Sequence, residues 1–387
     1  MSIKMKIKVL SALLAVMLQA GIFAGCGGNN TQAGSPSVLR EAGTRLGIKY
    51  ARNFNIDYLD GGVKLVTDSN GDKLLLVPKG TNVPSGHGDA ALVETPIKKA
   101  VYISTTHVGL LGALEDDSLY DSVAGVCTPE EQWTTPQVLE RFRNGTTNYL
   151  QCSQASAGNI EEIVKIRPDF VFTDGGKDAF SVRLRNLLDE VNIRYAALLD
   201  WAENGNAESL EWIKFFAAFF NLDEEADRIF ETRLARLNEL YEKVSNVSHK
   251  PTVAYGHIVN GVFYTHGRNS TLVHHIEMAG GSYVFKEFDD SLNVRITREE
   301  FLNKCRNVDI IIYGSQPQYC PDKAFLLETE PLMTEFSAFN NDKIYTFEQG
   351  YYMNSAKVVE KFTDMVSIIH PELFPGHKLS LYRKLTK

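Results

Sequence analysis

The sequence has little that could cross a membrane, bind nucleic acid or carry a known catalytic motif. Its 40 Lys and Arg stand against 48 Asp and Glu, so the net charge of -8 is opposite in sign to the basic faces that bind nucleic acid. It has no Gly-x-Ser-x-Gly, no His-Glu-x-x-His and no phosphate-binding loop ending in Lys-Ser/Thr. These absences exclude a nucleic-acid partner and argue against an enzyme, with an exported hydrolase as a weaker alternative.

The amino terminus holds the one long apolar run. Three lysines precede an apolar stretch at 9–23, which ends in small residues before Cys26. A charged start, a short apolar stretch and small residues before a cut are typical of a secretory signal peptide. The alternative is a transmembrane helix, but the run is shorter than the ~20 apolar residues of a bilayer span. We therefore expect residues 1–25 to be a signal peptide.

The segment Phe23-Ala24-Gly25-Cys26 resembles the lipobox of bacterial lipoproteins. The resemblance implies that Cys26 is acylated, becomes the first residue of the mature protein and anchors it to the membrane. Two or more acyl chains anchor stably, whereas one anchors only marginally. Residues 27–38 are rich in Gly, Asn, Ser and Pro, which is typical of a flexible spacer. We assign residues 26–49 to the lipidated cysteine and its spacer, facing the periplasm or the outer surface.

Four cysteines follow the lipidation site, and export permits disulfide bonds. They fall into two local pairs, Cys127 with Cys152 and Cys305 with Cys320. Two disulfides and four unpaired cysteines are both compatible with the sequence.

The remaining chain divides by its apolar pattern. Residues 50–95 show short alternating runs separated by turn dipeptides, which predicts a small β-hairpin addition. Residues 96–205 and 250–387 alternate short apolar strands with helices, the pattern of a parallel sheet covered on both faces. Residues 206–249 contain no Gly or Pro and predict a connecting helix. The predicted α/β fold has two α/β lobes with central, mostly parallel sheets joined by a long rigid helix.

Both lobes contain a short helix that opens with two acidic residues and is followed by an aspartate before a buried strand. Glu161-Glu162 and Asp169 form this pattern in the first lobe, and Glu299-Glu300 and Asp309 form it in the second. A Thr-His-Gly-Arg turn at 265–268 and a Gly-Gly corner at 280–281 precede the acidic helix of the second lobe. Over residues 99–370 this arrangement resembles the periplasmic siderophore- and cobalamin-binding proteins, the substrate-binding components of ABC importers.

The resemblance implies a monomeric receptor without a cofactor of its own. It captures a metal chelate, a ferric siderophore, haem or corrinoid, in the cleft between the lobes, and Glu161 and Glu299 dock it on the permease. The cobalamin binders have tryptophans where this sequence has Ala155, Asp174 and Asn293, a departure from the family pattern. Tyr264 occupies the place of an aromatic residue that contacts the ligand, and a tyrosine can also ligate haem iron.

Ligands of open parallel sheets bind beyond the carboxyl ends of the strands. In this sequence those ends combine aromatic rings with a few polar groups, which suits a large organic ligand. The predicted ligand-binding residues are Thr106, His107, Trp133, Asp174, His257, Tyr264, His266, Arg268, Tyr351 and Tyr352. As an alternative, His107, His257 and His266 would converge on a bare metal ion such as zinc.

Overall fold

The computed structural model describes residues 47–152, 160–289 and 293–386, and the backbone alone of Asn293. The predicted signal peptide, the lipidation site at Cys26 and most of the spacer lie outside the described residues, as does Ala155. In the described part of the chain, no helix is both long enough and apolar enough to cross a bilayer.

A four-stranded sheet precedes the first lobe. In the order β1-β2-β3-β4, its strands are Asn55–Tyr58, Lys64–Thr67, Lys73–Pro78 and Ala91–Thr95. The first three strands pair antiparallel, as the turn dipeptides predict, but β4 runs parallel to β3. The antiparallel prediction is wrong for β4 because the connection over 79–90 is long enough for the crossover that a parallel pair requires.

The first lobe is built on a five-stranded sheet in the order β7-β6-β5-β8-β9, and every pair in it is parallel. Its strands are β5 (Ala100–Tyr102), β6 (Val123–Val126), β7 (Asn148–Tyr149), β8 (Phe170–Asp174) and β9 (Tyr195–Leu198). Its helices are α1 (Thr105–Gly112), α2 (Pro136–Arg143), α3 (Ile160–Ile166) and α4 (Ala179–Glu190). The central strands are buried on both faces, as expected where helices cover a parallel sheet.

The segment between the lobes is helical, as predicted, and divides into α5 (Asn206–Phe220) and α6 (Asp223–Ser245). The division falls at Asn221, which has a left-handed φ of 59° at the end of α5. Helix α5 packs against α6, and it also contacts α1 of the first lobe. Helix α5 is buried along most of its length, whereas α6 is amphipathic.

The four-stranded sheet that precedes the first lobe contacts the break between α5 and α6. Lys64 of β2 is buried, and its Nζ forms an ion pair with Asp223 at 2.9 Å. The same Nζ donates to the Ala218 carbonyl at 2.7 Å and to the Asn221 side chain at 3.0 Å. One buried lysine thus joins the sheet to the last turn of α5 and the first turn of α6.

The second lobe has a mixed sheet in the order β13-β11-β10-β14-β15-β16, with β12 beside β10. Its strands are β10 (Thr252–Val259), β11 (Val262–His266), β12 (Ser282–Tyr283), β13 (Asn293–Ile296), β14 (Ile310–Tyr313), β15 (Ile344–Phe347) and β16 (Tyr382–Lys384). Strands β12, β10, β14 and β15 are parallel, and antiparallel pairs form the edges. Its helices are α7 (Thr271–Met278), α8 (Arg298–Cys305), α9 (Lys323–Thr329), α10 (Ser337–Asn340) and α11 (Val358–Ile369). Helix α11 packs against both α5 and α6.

The shared Asp of the two lobes has the same structural role in each. Asp169 accepts hydrogen bonds from the backbone N–H groups of Lys98 and Lys99, both at 2.9 Å, just before β5. Asp309 accepts from the backbone N–H of Thr252 at 2.8 Å, at the start of β10. In both lobes, therefore, the aspartate before one central strand holds the beginning of its neighbour.

The cysteines form one disulfide. Cys127, which follows β6, is bonded to Cys152, with their Cα atoms 5.2 Å apart. Cys305 and Cys320 are both buried and both free. The first predicted pair is therefore confirmed, and the second is wrong because Cys305 is packed inside α8 of the second lobe and Cys320 lies in a separate loop.

Candidate functional site: the cavity between the lobes

A cavity of about 200 Å³ lies between the two lobes. The first lobe contributes α1 and the turn that follows β9, and α5 contributes one serine. The residues from this side are Thr106, Leu110, Asp200, Trp201 and Ser209. The second lobe contributes α7, the beginning of α11, Tyr255 inside β10, the last residues of β11 and β15, and the loops that follow these two strands. The cavity thus lies where the carboxyl ends of parallel strands meet, as predicted for a ligand site.

Aromatic rings form one wall of the cavity. Phe347 and Tyr351 are stacked with ring centroids 4.1 Å apart, and the rings of Tyr351 and Tyr352 meet edge-on at 5.4 Å. The Tyr351 hydroxyl lies 2.9 Å from that of Tyr382, which fixes the buried ring. Tyr352 and Trp201 keep 47% and 38% of their surface exposed and stand at the mouth. Such a wall offers ring faces to an organic ligand.

The buried end of the cavity is polar. We call Asp200, His275 and Lys361 the polar floor, because all three line the cavity and are nearly inaccessible to solvent. Burial lowers the pKa of Lys361 to about 7, although the nearby Asp200 carboxylate opposes this shift. Burial also lowers the pKa of His275 to about 3, and the neighbouring Lys361 adds to the effect. His275 is therefore neutral at physiological pH.

The two lobes touch on both sides of the cavity. Ser355 Oγ donates to the Thr106 carbonyl at 2.8 Å, and Thr271 Oγ1 donates to the Glu203 carbonyl. At Gly109 in α1, an added Cβ would overlap the carbonyl oxygen of Met353 in the second lobe. The glycine is therefore required for this close approach of the lobes.

Arg233 of α6 joins both lobes behind the cavity. Its guanidinium donates to the Ala113 carbonyl of the first lobe at 3.3 Å and to the Ala356 carbonyl of the second at 3.2 Å. It also pairs with Glu115 at 3.0 Å. One side chain on the connecting helix thus forms hydrogen bonds with both lobes.

Four of the predicted ligand-binding residues line the cavity: Thr106, His266, Tyr351 and Tyr352. The Thr106 hydroxyl lies 2.9 Å from that of Ser104, the residue that caps α1. The His266 ring lies 4.2 Å from the ring of Tyr255, another residue of the lining. Each of these two side chains contacts a residue of its own lobe, and both line the cavity.

Two predicted residues lie behind the first-lobe side of the lining. His107 is 1% exposed, and its Nε2 lies 3.6 Å from Oδ1 of Asp200. Asp174 accepts a hydrogen bond from the backbone N–H of Gly176 at 2.6 Å, and burial raises the pKa of its carboxyl. Neither residue lines the cavity, and both support the turns that carry its first-lobe side.

Two further predicted residues stack on each other beside the second-lobe side. His257 and Tyr264 face each other across the antiparallel pair β10 and β11, with ring centroids 5.4 Å apart and nearly parallel planes. Burial lowers the pKa of His257. Neither ring lines the cavity.

Trp133 and Arg268 also lie outside the cavity lining. Trp133 is 4% exposed, and its Nε1 donates to the Thr128 carbonyl at 3.0 Å, so its ring belongs to the core of the first lobe. Arg268 is exposed and forms an ion pair with Asp289. In the structure, Trp133 and Arg268 therefore contact residues outside the cavity.

The three histidines of the metal-ion alternative do not converge. Within the described ranges, no three His, Cys, Asp or Glu side chains are arranged to hold a metal ion. His107 is buried in the first lobe beside Asp200, while His257 stacks on Tyr264 in the second. The prediction of a histidine site for a bare metal ion is therefore wrong.

Sequence reasoning missed most of the cavity lining. Tyr255 lies inside a buried strand, and His275 and Lys361 lie inside helices, where local sequence shows no sign of a ligand site. Trp201 follows a predicted strand, so its position beyond a carboxyl end was the one signal that could have identified it.

Glu161 and Glu299, the predicted docking residues, are both exposed. Each lies in the first turn of its helix, α3 or α8, one in each lobe. Thr297 caps α8 by accepting a hydrogen bond from the backbone N–H of Glu300 at 3.1 Å.

A family model described as periplasmic binding protein matches residues 101–351, which is more than half of the chain. The chain belongs to this family, whose members bind a small molecule and interact with an ABC permease. An uncharacterized lipoprotein of Methanocaldococcus jannaschii is 26% identical over 359 residues, which are 87% of this chain and 85% of that protein.

Solved structures share the two-lobed fold. The TroA-like periplasmic binding protein FepB from Veillonella parvula matches with a TM-score of 0.57 and 16% identity, over 83% of this chain and 99% of that one. The periplasmic vitamin B12 binding protein BtuF of Vibrio cholerae matches with a TM-score of 0.52 and 14% identity, over 71% of this chain and 97% of that one. These solute-binding proteins confirm the predicted α/β fold of two lobes.

Proposed function

We propose that the protein is the lipid-anchored receptor of an ABC importer and that it captures a metal chelate in the cavity between its lobes. The chelate is a ferric siderophore, haem or a corrinoid, and the protein delivers it to the permease without catalysing a reaction. The observation that carries this proposal is the aromatic wall of Phe347, Tyr351 and Tyr352 in a cavity that Trp201 of the first lobe also lines. Ring faces bind the organic shell of a chelate, and the polar floor orients it.

The size of the cavity bears on how such a ligand enters. Its volume of about 200 Å³ is below the ~300–1,000 Å³ of pockets that enclose drug-sized ligands. A chelate therefore binds with the lobes further apart than in this structure, and the contacts of Ser355 with Thr106 and of Thr271 with Glu203 are open in the bound state. The solved relative named as a vitamin B12 binding protein supports a corrinoid as one candidate.

The anchor in this proposal is the lipid on Cys26, supported by the lipobox and by the relative named as a lipoprotein. The spacer at 27–38 gives the lobes reach above the membrane. Glu161 and Glu299 then meet basic residues of the permease, one from each lobe. Replacing Cys26 by alanine should release the protein from membrane fractions, and retention of the variant in those fractions would contradict the anchor.

Isothermal titration of the mature protein with haemin, cobalamin and a panel of ferric siderophores tests the ligand. We expect micromolar or tighter binding of at least one chelate and at least tenfold weaker binding by Tyr352→Ala. Tyr319→Ala is the matched control, because Tyr319 is a 60% exposed tyrosine outside the cavity lining. Absence of binding to every chelate would reject the proposal.

A further inference from the structure

The polar floor is incompletely paired, because Asp200 Oδ1, like the His275 ring nitrogens, has no hydrogen-bond partner among the described residues. His275 is 5% exposed, and among the described residues neither of its ring nitrogens has a hydrogen-bond partner. Lys361 is 8% exposed, and its Nζ lies over the ring of Tyr351, 4.2 Å from the centroid. Within the described ranges, no carboxylate lies within ion-pair distance, 4.0 Å, of this Nζ. Both side chains line the same cavity.

Such groups are costly to leave without a partner. A buried charge or hydrogen-bonding group that has left water and found no partner destabilises the fold. A lysine ammonium can only donate, and a neutral imidazole donates through one nitrogen and accepts through the other. The group that best pairs with Lys361 and His275 is therefore an acceptor that also carries negative charge, because hydrogen bonds to an ionised acceptor are the stronger ones.

We propose that the chelate bound in this cleft presents a carboxylate to Lys361 and His275. The inference rests on the proposed function and narrows its ligand to chelates whose organic part keeps a free carboxylate. The aromatic wall then binds the body of the ligand, and the floor selects for its charge.

The groups around the ammonium make binding depend on pH. Asp200 faces Lys361 from the turn after β9, His275 from α7 and Tyr351 from the loop before α11, while Glu360 precedes it on its own helix. Burial lowers the pKa of Lys361 to about 7, so at pH 8 most of the free protein carries a neutral amine. A carboxylate at this position favours the charged form, so binding at pH 8 takes up a proton.

The test compares paired probes that differ in charge. Haemin has free carboxylates and its dimethyl ester has none, and ferric citrate is compared with a neutral ferric trihydroxamate. Each is titrated against the wild-type protein, Lys361→Met and the matched control Lys357→Met. Lys357 lies one helical turn earlier, is exposed and is absent from the lining of this cavity, so its variant removes the same charge outside it.

We expect the carboxylated member of a pair to bind at least tenfold more tightly to the wild type. Lys361→Met should abolish that preference, and Lys357→Met should keep it. Titration at pH 8 in two buffers of different ionisation enthalpy should show proton uptake by the wild type and none by Lys361→Met. Thermal unfolding establishes that both variants fold.

The outcomes separate this inference from the proposed function. Equal affinity for both members of each pair, or an unchanged preference in Lys361→Met, overturns the carboxylate while chelate binding stands. Binding of none of the probes or of the wider chelate panel by the wild type overturns both.

Discussion

Ser355 and Thr106 join the two lobes at the edge of the cavity through a single hydrogen bond of 2.8 Å, from Oγ of one to the backbone carbonyl of the other. The residues lie 249 positions apart in the chain, and both also line the cavity. The bond therefore links the relative position of the lobes directly to the site where the ligand is proposed to bind.

Removing this bond should favour separation of the lobes. Ser355→Ala loses one hydrogen bond of about 1 kcal/mol, which shifts the balance between closed and open states about fivefold. Hydrogen exchange of the ligand-free protein should then quicken at α1 and at residues 353–357. Ser367→Ala is the control, because its hydroxyl donates to the Thr363 carbonyl at 2.8 Å within α11 alone. The same increase in hydrogen exchange in both variants would contradict a role of the Ser355 bond in holding the lobes together.

Charge reversal tests the proposed docking residues. Glu161→Lys with Glu299→Lys should lower uptake of the chelate by about tenfold in cells that carry the permease, because two attractive contacts become repulsive. Exposed ion pairs are worth roughly 0–1 kcal/mol each, so the effect is moderate. Ligand affinity in solution should stay unchanged.

The neighbouring glutamates of the same two helices provide the control for docking. Glu162→Lys with Glu300→Lys makes the same change of charge in the same first turns of α3 and α8. A general effect of charge or of the helix dipole would impair this variant equally. Loss of ligand affinity in the Glu161 and Glu299 variant would show that these residues do not act in docking.

The buried His275 predicts how stability depends on pH. Its pKa of about 3 in the folded protein lies below the ordinary value of 6.5, so the unfolded chain takes up a proton first. Stability from this group is complete above pH 6.5 and is lost as the pH falls toward 3. Over this window, denaturant unfolding of the wild type should lose up to about 1.4 kcal/mol more per pH unit than His275→Leu. A parallel pH dependence of the two proteins would contradict the burial of a neutral imidazole.

Counting thiols tests the cysteine assignment. In a Cys26→Ser variant lacking the signal peptide, the unfolded, unreduced protein should expose two reactive thiols, those of Cys305 and Cys320, and the folded protein none. Loss of the disulfide between Cys127 and Cys152 should lower the free energy of unfolding by about 3 kcal/mol. Zero or four thiols in the unfolded protein would contradict this pairing.

Much of the fold follows from local signals in the sequence. The sequence pattern predicts helices at 160–166 and 298–305 and a strand at 310–313. Elements α3, α8 and β14 have these bounds, because acidic first turns, the cap at Thr297 and a continuous apolar run mark them. The sequence predicts an interruption of the connecting helix at Leu222-Asp223, but not the left-handed conformation of Asn221, which Lys64 holds from a distant strand. Helix α2 is polar over much of its length and was not predicted, because only Val138 is buried.

The candidate site could be predicted only where a residue follows a strand end. Thr106, His266, Tyr351 and Tyr352 meet that condition and line the cavity. His257 and Tyr264 were predicted on the same ground but lie inside β10 and β11, and their ring stacking depends on the strand register, which the sequence pattern did not include. Lys361 and His275 look like ordinary residues of amphipathic helices, and only the approach of the two lobes turns them toward a shared cavity.

A fluorescence titration tests the central claim most directly. Of the three tryptophans, Trp201 lines the cavity, while Trp133 and Trp212 are buried outside its lining. A coloured metal chelate bound between the lobes should quench Trp201 saturably at micromolar concentration, and Trp201→Phe should remove most of that signal while calorimetry still shows binding. No saturable quenching by any chelate, together with no heat of binding, would contradict a chelate receptor.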